Sequence, residues 1–434
     1  MPRRLNVFFR ALKFFFKRPY YGFIQGHRHL TYSQISRIKE AVSQKCDETE
    51  LEYEKKFAEI IGQGRAVCFA NGRAGFYLLM KMLNVAAGDE IIIPASTCSV
   101  MVNAILRTGA KPVYSDIDLD TFSSSLSDIE KVISNRTKMI VAQHSFGIPS
   151  NILPIVKFAK ERGIFLLEDC ALTVGSKINQ ITCGNFGDAA LFSTDHSKPI
   201  NTIVGGLIYT KNSKVYKFLK NAQSQIHHMN NKKQKALWHQ FKLERFLFNP
   251  NRYGMHYAFQ KLSIMLGLTR DAFNNEDYSS MIFNTQNYLI RMPLFLIILG
   301  LFELNNWHNI SKQRERNLKL LIKTIKSDST INIPSCYEDS KRVIVPLRLA
   351  WLSSELGFNK FDMFSLVYTD GVWFKMPVVS TNEPMINFKY KENQCLKAEK
   401  MFKEIENLPC NLTNEDTLQL AKDLLRVHSS VSVR

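Results

Sequence analysis

GDAALFSTDHSKPINTIVGG, residues 187–206, is the stretch on which the reading of this chain turns. It opens with an apolar strand pattern, DAALFST at 188–194, and runs into a second one, GGLIYTK at 205–211. Between the two lie Asp195, His196, Ser197 and Lys198, which with Ser193 make a set too polar for a core segment. A lysine attacks a carbonyl only as the neutral amine, so its pKa must be depressed in a partly desolvated pocket. Lys198, flanked by polar groups and followed by a Gly-Gly turn, is the residue here best suited to covalent chemistry.

Upstream, the chain alternates short apolar strands with helices. AVCFA (66–70) precedes a helical AGFYLLMKML (74–83), then EIIIP (90–94), a helix over 98–107, and KPVYSDI (111–117). KMIVAQH (138–144), a helix around 151–161, and IFLLEDC (164–170) continue the rhythm. Strands separated by helical segments predict an α/β fold with a mostly parallel central sheet flanked by helices, extending to about residue 212. A helix over 50–62, with Leu51, Phe57, Ile60 and Ile61 apolar among charges, marks where the main domain begins.

Two further motifs sit at strand ends. IFLLEDC delivers Glu168 and Asp169 at the end of an apolar strand, where open α/β sheets present ligand-binding groups, so one of the pair is expected to face a ligand. FANGRAGF (69–76) puts Asn71, Gly72 and Arg73 between a strand and a helix, where free backbone N–H groups hold a phosphate and Arg73 adds a charged fork. Each motif alone is weak, since capping acids, solvated lysines and glycine turns are common.

Residues 213–285, rich in Lys, Asn, Gln, His and aromatics, break the rhythm and read as a helical insertion. The apolar run 288–304 contains Arg291, Pro293 and Glu303 and is short for a membrane span, so a buried interface helix is expected. A basic helix at 311–326 follows, then KRVIVPLRLA, a helix-like 360–369, a strand GVWFK, and closing helices near 394–407 and 414–427. This predicts an N-terminal arm (1–49), a large domain with its insertion (50–285), and interface helices with a smaller α+β C-terminal domain (286–434).

The formal charge of +18 favours polyanions, including phosphorylated substrates, but no nucleic-acid-reading motif accompanies it, so nucleic acid is not expected as a partner. Eight scattered cysteines without a CxxC pair suggest neither a zinc site nor a disulfide framework; no metal is expected, and the cytoplasm is the expected compartment. RRLNVFFRALKFFFKRP (3–19) carries six Lys/Arg and no acid, which does not read as a secretory signal. It reads equally as an arm packed on the protein or as residues 1–18 meeting an acidic membrane surface.

Taken together and in order, these pieces resemble the DegT/DnrJ/EryC1/StrS family of pyridoxal-phosphate (PLP) sugar aminotransferases over about residues 50–427. The matching segments are GDEIIIPASTCSVMVNAILRTGAKPVYSDID (88–118), RTKMIVAQHSFG (136–147), GIFLLEDCALTVGS (163–176) and the opening stretch at 187–206, with RMPLFLIILGLFELNNWHNISKQRERN (291–317) and the closing helices beyond. The resemblance implies fold type I, PLP as cofactor, a homodimer, and transfer of an amino group from a donor amino acid, glutamate, to a nucleotide-linked keto-sugar for polysaccharide or glycoconjugate synthesis.

Residue by residue, Lys198 corresponds to the lysine that holds the cofactor and shuttles a proton. Asp169 corresponds to the partner of the pyridine nitrogen, Ala171 to a residue against the ring face, Ser193 to a phosphate-binding hydroxyl, and Gly72 with Arg73 to the phosphate loop. His144 and Arg291 correspond to positions bordering the substrate, each with a purely structural alternative: a histidine bonded into the sheet end and an arginine capping a helix. Three positions depart from the family pattern: Arg73 for Ser or Thr, Cys98 for an aromatic stacked on the cofactor, and Leu172 for Gln or His. The insertion departs too, since the family has a shorter loop there that reaches a neighbouring subunit's site. A PLP-dependent sugar dehydratase is a related alternative, although such members carry His in place of the lysine. A non-catalytic binding or regulatory protein of the same fold, meeting a membrane or other polyanion, is the alternative from another class.

Overall fold

Seven apolar segments pair into one sheet: β1 (Arg65–Phe69), β2 (Glu90–Pro94), β3 (Lys111–Ser115), β4 (Thr137–Gln143), β5 (Phe165–Asp169), β6 (Ala189–Ser193) and β7 (Gly206–Thr210), in spatial order β1-β7-β6-β5-β4-β2-β3. The structure is a computed structural model that describes residues 24, 26–45, 48–247, 288–327, 331–353, 373–381 and 383–431. From β6 to β3 every neighbour is parallel, whereas β7 is antiparallel to both β6 and β1. Parallel neighbours need a crossover, but β6 and β7 are joined by a direct turn, and that turn carries Lys198. The mostly parallel sheet expected from the sequence is therefore present.

Helices cover both faces: α1 (Thr49–Ile61), α2 (Gly72–Met82), α3 (Ser99–Arg107), α4 (Ile152–Glu161), α5 (Ser213–Gln225), α6 (Asn231–Leu247), α7 (Leu294–Ile325), α8 (Leu396–Glu404) and α9 (Asn414–Val431). The period of two along β1 divides the interior. Val67 and Phe69 join the core that holds α2 and α3, while Ala66 and Cys68 join the core under α1 and the start of α7. α2 begins where the Asn71 side chain accepts from the N–H of Ala74 at 2.9 Å. It lies so close to the sheet that a Cβ on Gly75 would come 2.4 Å from Cγ1 of Ile208.

The apolar run and the basic helix expected as separate elements form one helix, α7, of 32 residues. Its first eight residues, Leu294–Leu301, are all buried, and Gly300 lies against the Tyr53 ring of α1, where a Cβ would stand 2.4 Å away. Burial inside this chain accounts for the run, and among the described residues no helix is long and apolar enough to cross a membrane.

The C-terminal region departs from expectation in two places. α8 ends at Glu404, and Ile405–Pro409, all buried, forms a strand antiparallel to Arg348–Leu352. Trp373–Lys375 is not a strand; instead Val378–Val379 pairs in parallel with Thr97–Cys98. In both cases a partner distant in sequence overrides local preference. Residues 360–369 and the arm at 1–18 lie outside the described residues.

Replacing Gly75 by Ala forces a methyl group into Ile208. We expect a loss of about 1–3 kcal/mol in unfolding free energy, read as a lower urea midpoint at unchanged slope.

Candidate active site

The β-strand period of two acts first on Glu168 and Asp169, at the carboxyl end of β5. Glu168 is fully buried and takes up backbone N–H groups of Gly184 (2.6 Å), Phe186 (2.7 Å) and Gly187 (2.7 Å) together with Nε2 of His144 (3.1 Å). Asp169 faces the other way and lines a cavity of about 230 Å³. Its Oδ1 accepts from the N–H of Ala171 at 2.9 Å, and burial raises its pKa against the opposing charge of Lys198. The carboxylate that meets the cavity is thus Asp169.

Lys198 enters the same cavity from the β6–β7 turn. Thr194 and Gly205 close that turn through an N–H···O bond of 2.9 Å, the N–H of His196 donates to the Ile203 carbonyl at 3.2 Å, and the N–H of Lys198 to the Asp195 carbonyl at 2.9 Å. Burial pushes the Lys198 pKa down and the Arg348 charge adds to the effect, while Asp195, Cys98 and Asp169 oppose it. Its Nζ lies 4.5 Å from the centre of the Trp373 ring.

The remaining candidates divide. Gly72, Arg73, Cys98, Ala171 and Ser193 all line the cavity with Asp169 and Lys198. Gly72, at the start of α2, lies directly against β7, since a Cβ on Gly206 would lie 2.3 Å from the Gly72 nitrogen. The Arg73 guanidinium lies 5.6 Å from the centre of the Tyr288 ring. Leu172, where a polar contact is the family pattern, also lines the cavity.

His144 and Arg291, named as bordering the substrate, are not among the lining residues. His144 is buried in the sheet end: its Nδ1 accepts from the N–H of Ser150 at 3.0 Å, which leaves Nε2 to donate to Glu168. Arg291 grips Glu50 through Nε at 3.0 Å and Nη2 at 3.3 Å. In each case the preceding residue, Gln143 or Ile290, lines the cavity instead, because successive side chains on a strand point to opposite sides.

The insertion supplies what sequence reasoning did not assign. Met229, Lys233 and Gln240, on and just before α6, line the cavity of their own chain, as do Trp373 and Ser380 from the C-terminal region. Apart from Met229, their polar or aromatic character was visible, but only long-range packing brings them here. α6 also fixes the lysine turn, for Nδ1 of buried His196 lies 3.0 Å from Oε1 of Glu244, which accepts from Nε2 of Gln240 at 2.8 Å. Burial alone lowers the His196 pKa, but Asp195 and Glu244 outweigh it and raise it to about 9. Among the described residues, two buried groups have metal-ligand character, His144–Glu168–Cys170 and Glu50–Glu54–Cys68. Their carboxylates are already engaged, Glu168 as described and Glu54 by Lys220 at 2.6 Å and the N–H of Cys68 at 3.0 Å.

The family model described as the DegT/DnrJ/EryC1/StrS aminotransferase family matches residues 34–424. The chain belongs to that family. Its fold, a mixed central sheet with flanking helices and a smaller α+β region, is fold type I of the PLP-dependent transferases. The family's GDP-perosamine synthase from Escherichia coli O157:H7 is 40% identical over 164 residues, 38% of this chain and 45% of that protein. The dTDP-4-dehydro-2,3,6-trideoxy-D-glucose 4-aminotransferase of Saccharopolyspora spinosa is 35% identical over 159 residues, 36% of this chain and 41% of that one. The aligned stretch thus spans less than half the length of these relatives. Among solved structures, Helicobacter pylori PseC, an aminotransferase involved in pseudoaminic acid biosynthesis, superposes with a TM-score of 0.70 at 20% identity, covering 92% of this chain and 97% of that one. The aminotransferase TlmJ from Streptoalloteichus hindustanus gives 0.68 at 18% identity, covering 93% and 98%. At these identities the superpositions speak for the fold.

The His196–Glu244 pair makes a stability prediction. The raised His196 pKa means that its contribution is complete below about pH 6.5 and is lost as pH rises through about 9. Glu244→Gln should therefore destabilise the protein at pH 6 by about 3 kcal/mol. The gap to wild type in urea melts should narrow progressively between these two pH values.

Proposed function

We propose that this chain is a PLP-dependent aminotransferase that transfers an amino group from glutamate to a keto-sugar carried on a nucleoside diphosphate, in the synthesis of a polysaccharide or other glycoconjugate. One observation carries the reading: a lysine amine, a buried carboxylate and a helix N-terminus open into a single cavity. This donor set fits PLP, with an amine for its aldehyde, an acid for its ring nitrogen, and N–H, hydroxyl and guanidinium groups for its phosphate. The two relatives named above carry GDP- and dTDP-linked sugars in their names, which supports the nucleotide-linked substrate class.

Each residue has a role set by its surroundings. Lys198, whose charged form burial disfavours, would hold the cofactor through its neutral amine and would take and return a proton at the substrate carbon. Asp169 would hold a proton on the ring nitrogen, and Ala171 would border the ring from the cavity wall. The first N–H groups of α2 at Gly72, the Ser193 hydroxyl and the Arg73 guanidinium hold the phosphate. When bound, PLP supplies an electron sink conjugated to the amine-bearing carbon. Lys198 stands where the dehydrating members of the family carry His, which favours transamination over dehydration.

The protein with PLP should show an absorbance band near the visible edge that shifts on adding glutamate, and Lys198→Ala should show neither. Absence of a lysine-dependent band in the wild-type protein would overturn the reading in favour of a binding protein. We further propose a homodimer, checked by light scattering. Residues 1–18, with six Lys/Arg and no acid, are proposed as a contact with an acidic membrane face. Their deletion should abolish salt-dependent retention on anionic vesicles while leaving the absorbance band unchanged.

A further inference from the structure

Cys98 leaves the cavity without an aromatic side chain at the position where the family stacks one on the cofactor. Among the described residues lining the cavity, the aromatic ones are Trp373 and Phe374. Phe374 is buried and packs edge-on against Phe146 at 5.7 Å, which commits it to the core. Trp373 is only partly buried, and its ring centre stands 4.5 Å from Nζ of Lys198, the atom at which a covalently held ring begins.

The chain around Trp373 is stitched to the strand that carries Cys98. The N–H of Thr97 donates to the Pro377 carbonyl at 3.0 Å, Val379 pairs with Cys98, and the Ser99 hydroxyl donates to the Ser380 carbonyl at 3.0 Å. Residue 373 is also held by the C-terminal core. Asn407 Oδ1 accepts from the backbone N–H of Trp373 at 2.9 Å and from Arg348 Nη1 at 3.4 Å, and the Arg348 guanidinium lies 4.1 Å from the centre of the Trp373 ring. Both Asn407 and Arg348 are buried, so this bracket is part of the C-terminal core.

We propose that Trp373 supplies the aromatic face that position 98 lacks, packing against the ring held at Lys198, with Arg348, against the indole, and Asn407, on the backbone N–H of residue 373, as the positioning residues. The proposal rests on the PLP reading above and adds to it the origin of the stacking group: a segment of the C-terminal region far from position 98 in sequence. Moving the aromatic to that segment ties a full cofactor site to docking of the C-terminal region on the Thr97–Cys98 strand.

The test is the dissociation constant of PLP, measured by equilibrium dialysis against apoprotein, with the lysine-dependent absorbance band as the sign of covalent attachment. Trp373→Leu should weaken PLP by roughly three- to tenfold, while Trp373→Phe stays near wild type. Cys98→Phe introduced into Trp373→Leu should recover most of the loss. Arg348→Met should weaken PLP in the wild-type background but add little in the Trp373→Leu background, as expected of a residue acting through the indole. If Trp373→Leu does not fold, Trp373→Met takes its place. Unchanged affinity in the non-aromatic variant, with a normal band in wild type, overturns the stacking role and leaves the aminotransferase reading standing. A wild-type protein without the band overturns both.

Discussion

The alternation of side chains at the carboxyl end of β5 is the constraint from which the site follows. Two adjacent acids leave the strand in opposite directions, and the sheet assigns them opposite tasks. Glu168 disappears into the interior, where three backbone N–H groups and a histidine take up its charge. Those three N–H groups belong to residues 184–187, immediately before β6, so the buried carboxylate anchors the approach to the strand that leads to Lys198. A buried charge is tolerable only when its hydrogen bonds are complete, and here they also order the neighbouring chain. Asp169, one residue on, is left to the cavity.

The lysine turn is held from several directions by parts of the chain that are remote from one another. β7 closes its base, α6 grips His196 through Glu244, and the indole of Trp373 lies against the amine. The same burial that depresses the lysine's charged state is created by these elements, so electrostatics and packing have one cause. The segment around α6 is therefore part of the wall of this chain's own cavity.

Much of this was legible in the linear chain. The rhythm of strands and helices, the polar turn at 193–198, the acid pair and the glycine-bearing loop at 71–73 identify an α/β sheet and its ligand-bearing ends. Those signals are local: periodicity, capping and turn chemistry act over a few residues. Where the sequence left two readings open, one position along the chain separated them. His144 and Arg291 carry the more chemical side chains, yet Gln143 and Ile290 are the neighbours that line the cavity. In the C-terminal region, Ile405–Pro409 became a strand because Arg348–Leu352 was there to pair with it.

The sequence by itself determined the fold class and the family, and it singled out Lys198, Asp169, Gly72 and Arg73, which line one cavity, because each is written in a short segment whose local geometry is nearly independent of the rest. Which face of each strand looks into the cavity, which insertion residues enclose it, and how Trp373 comes to lie 4.5 Å from Lys198 were settled only by the assembled chain. These depend on sheet register and on packing between segments far apart in sequence, and neither leaves a local pattern to read.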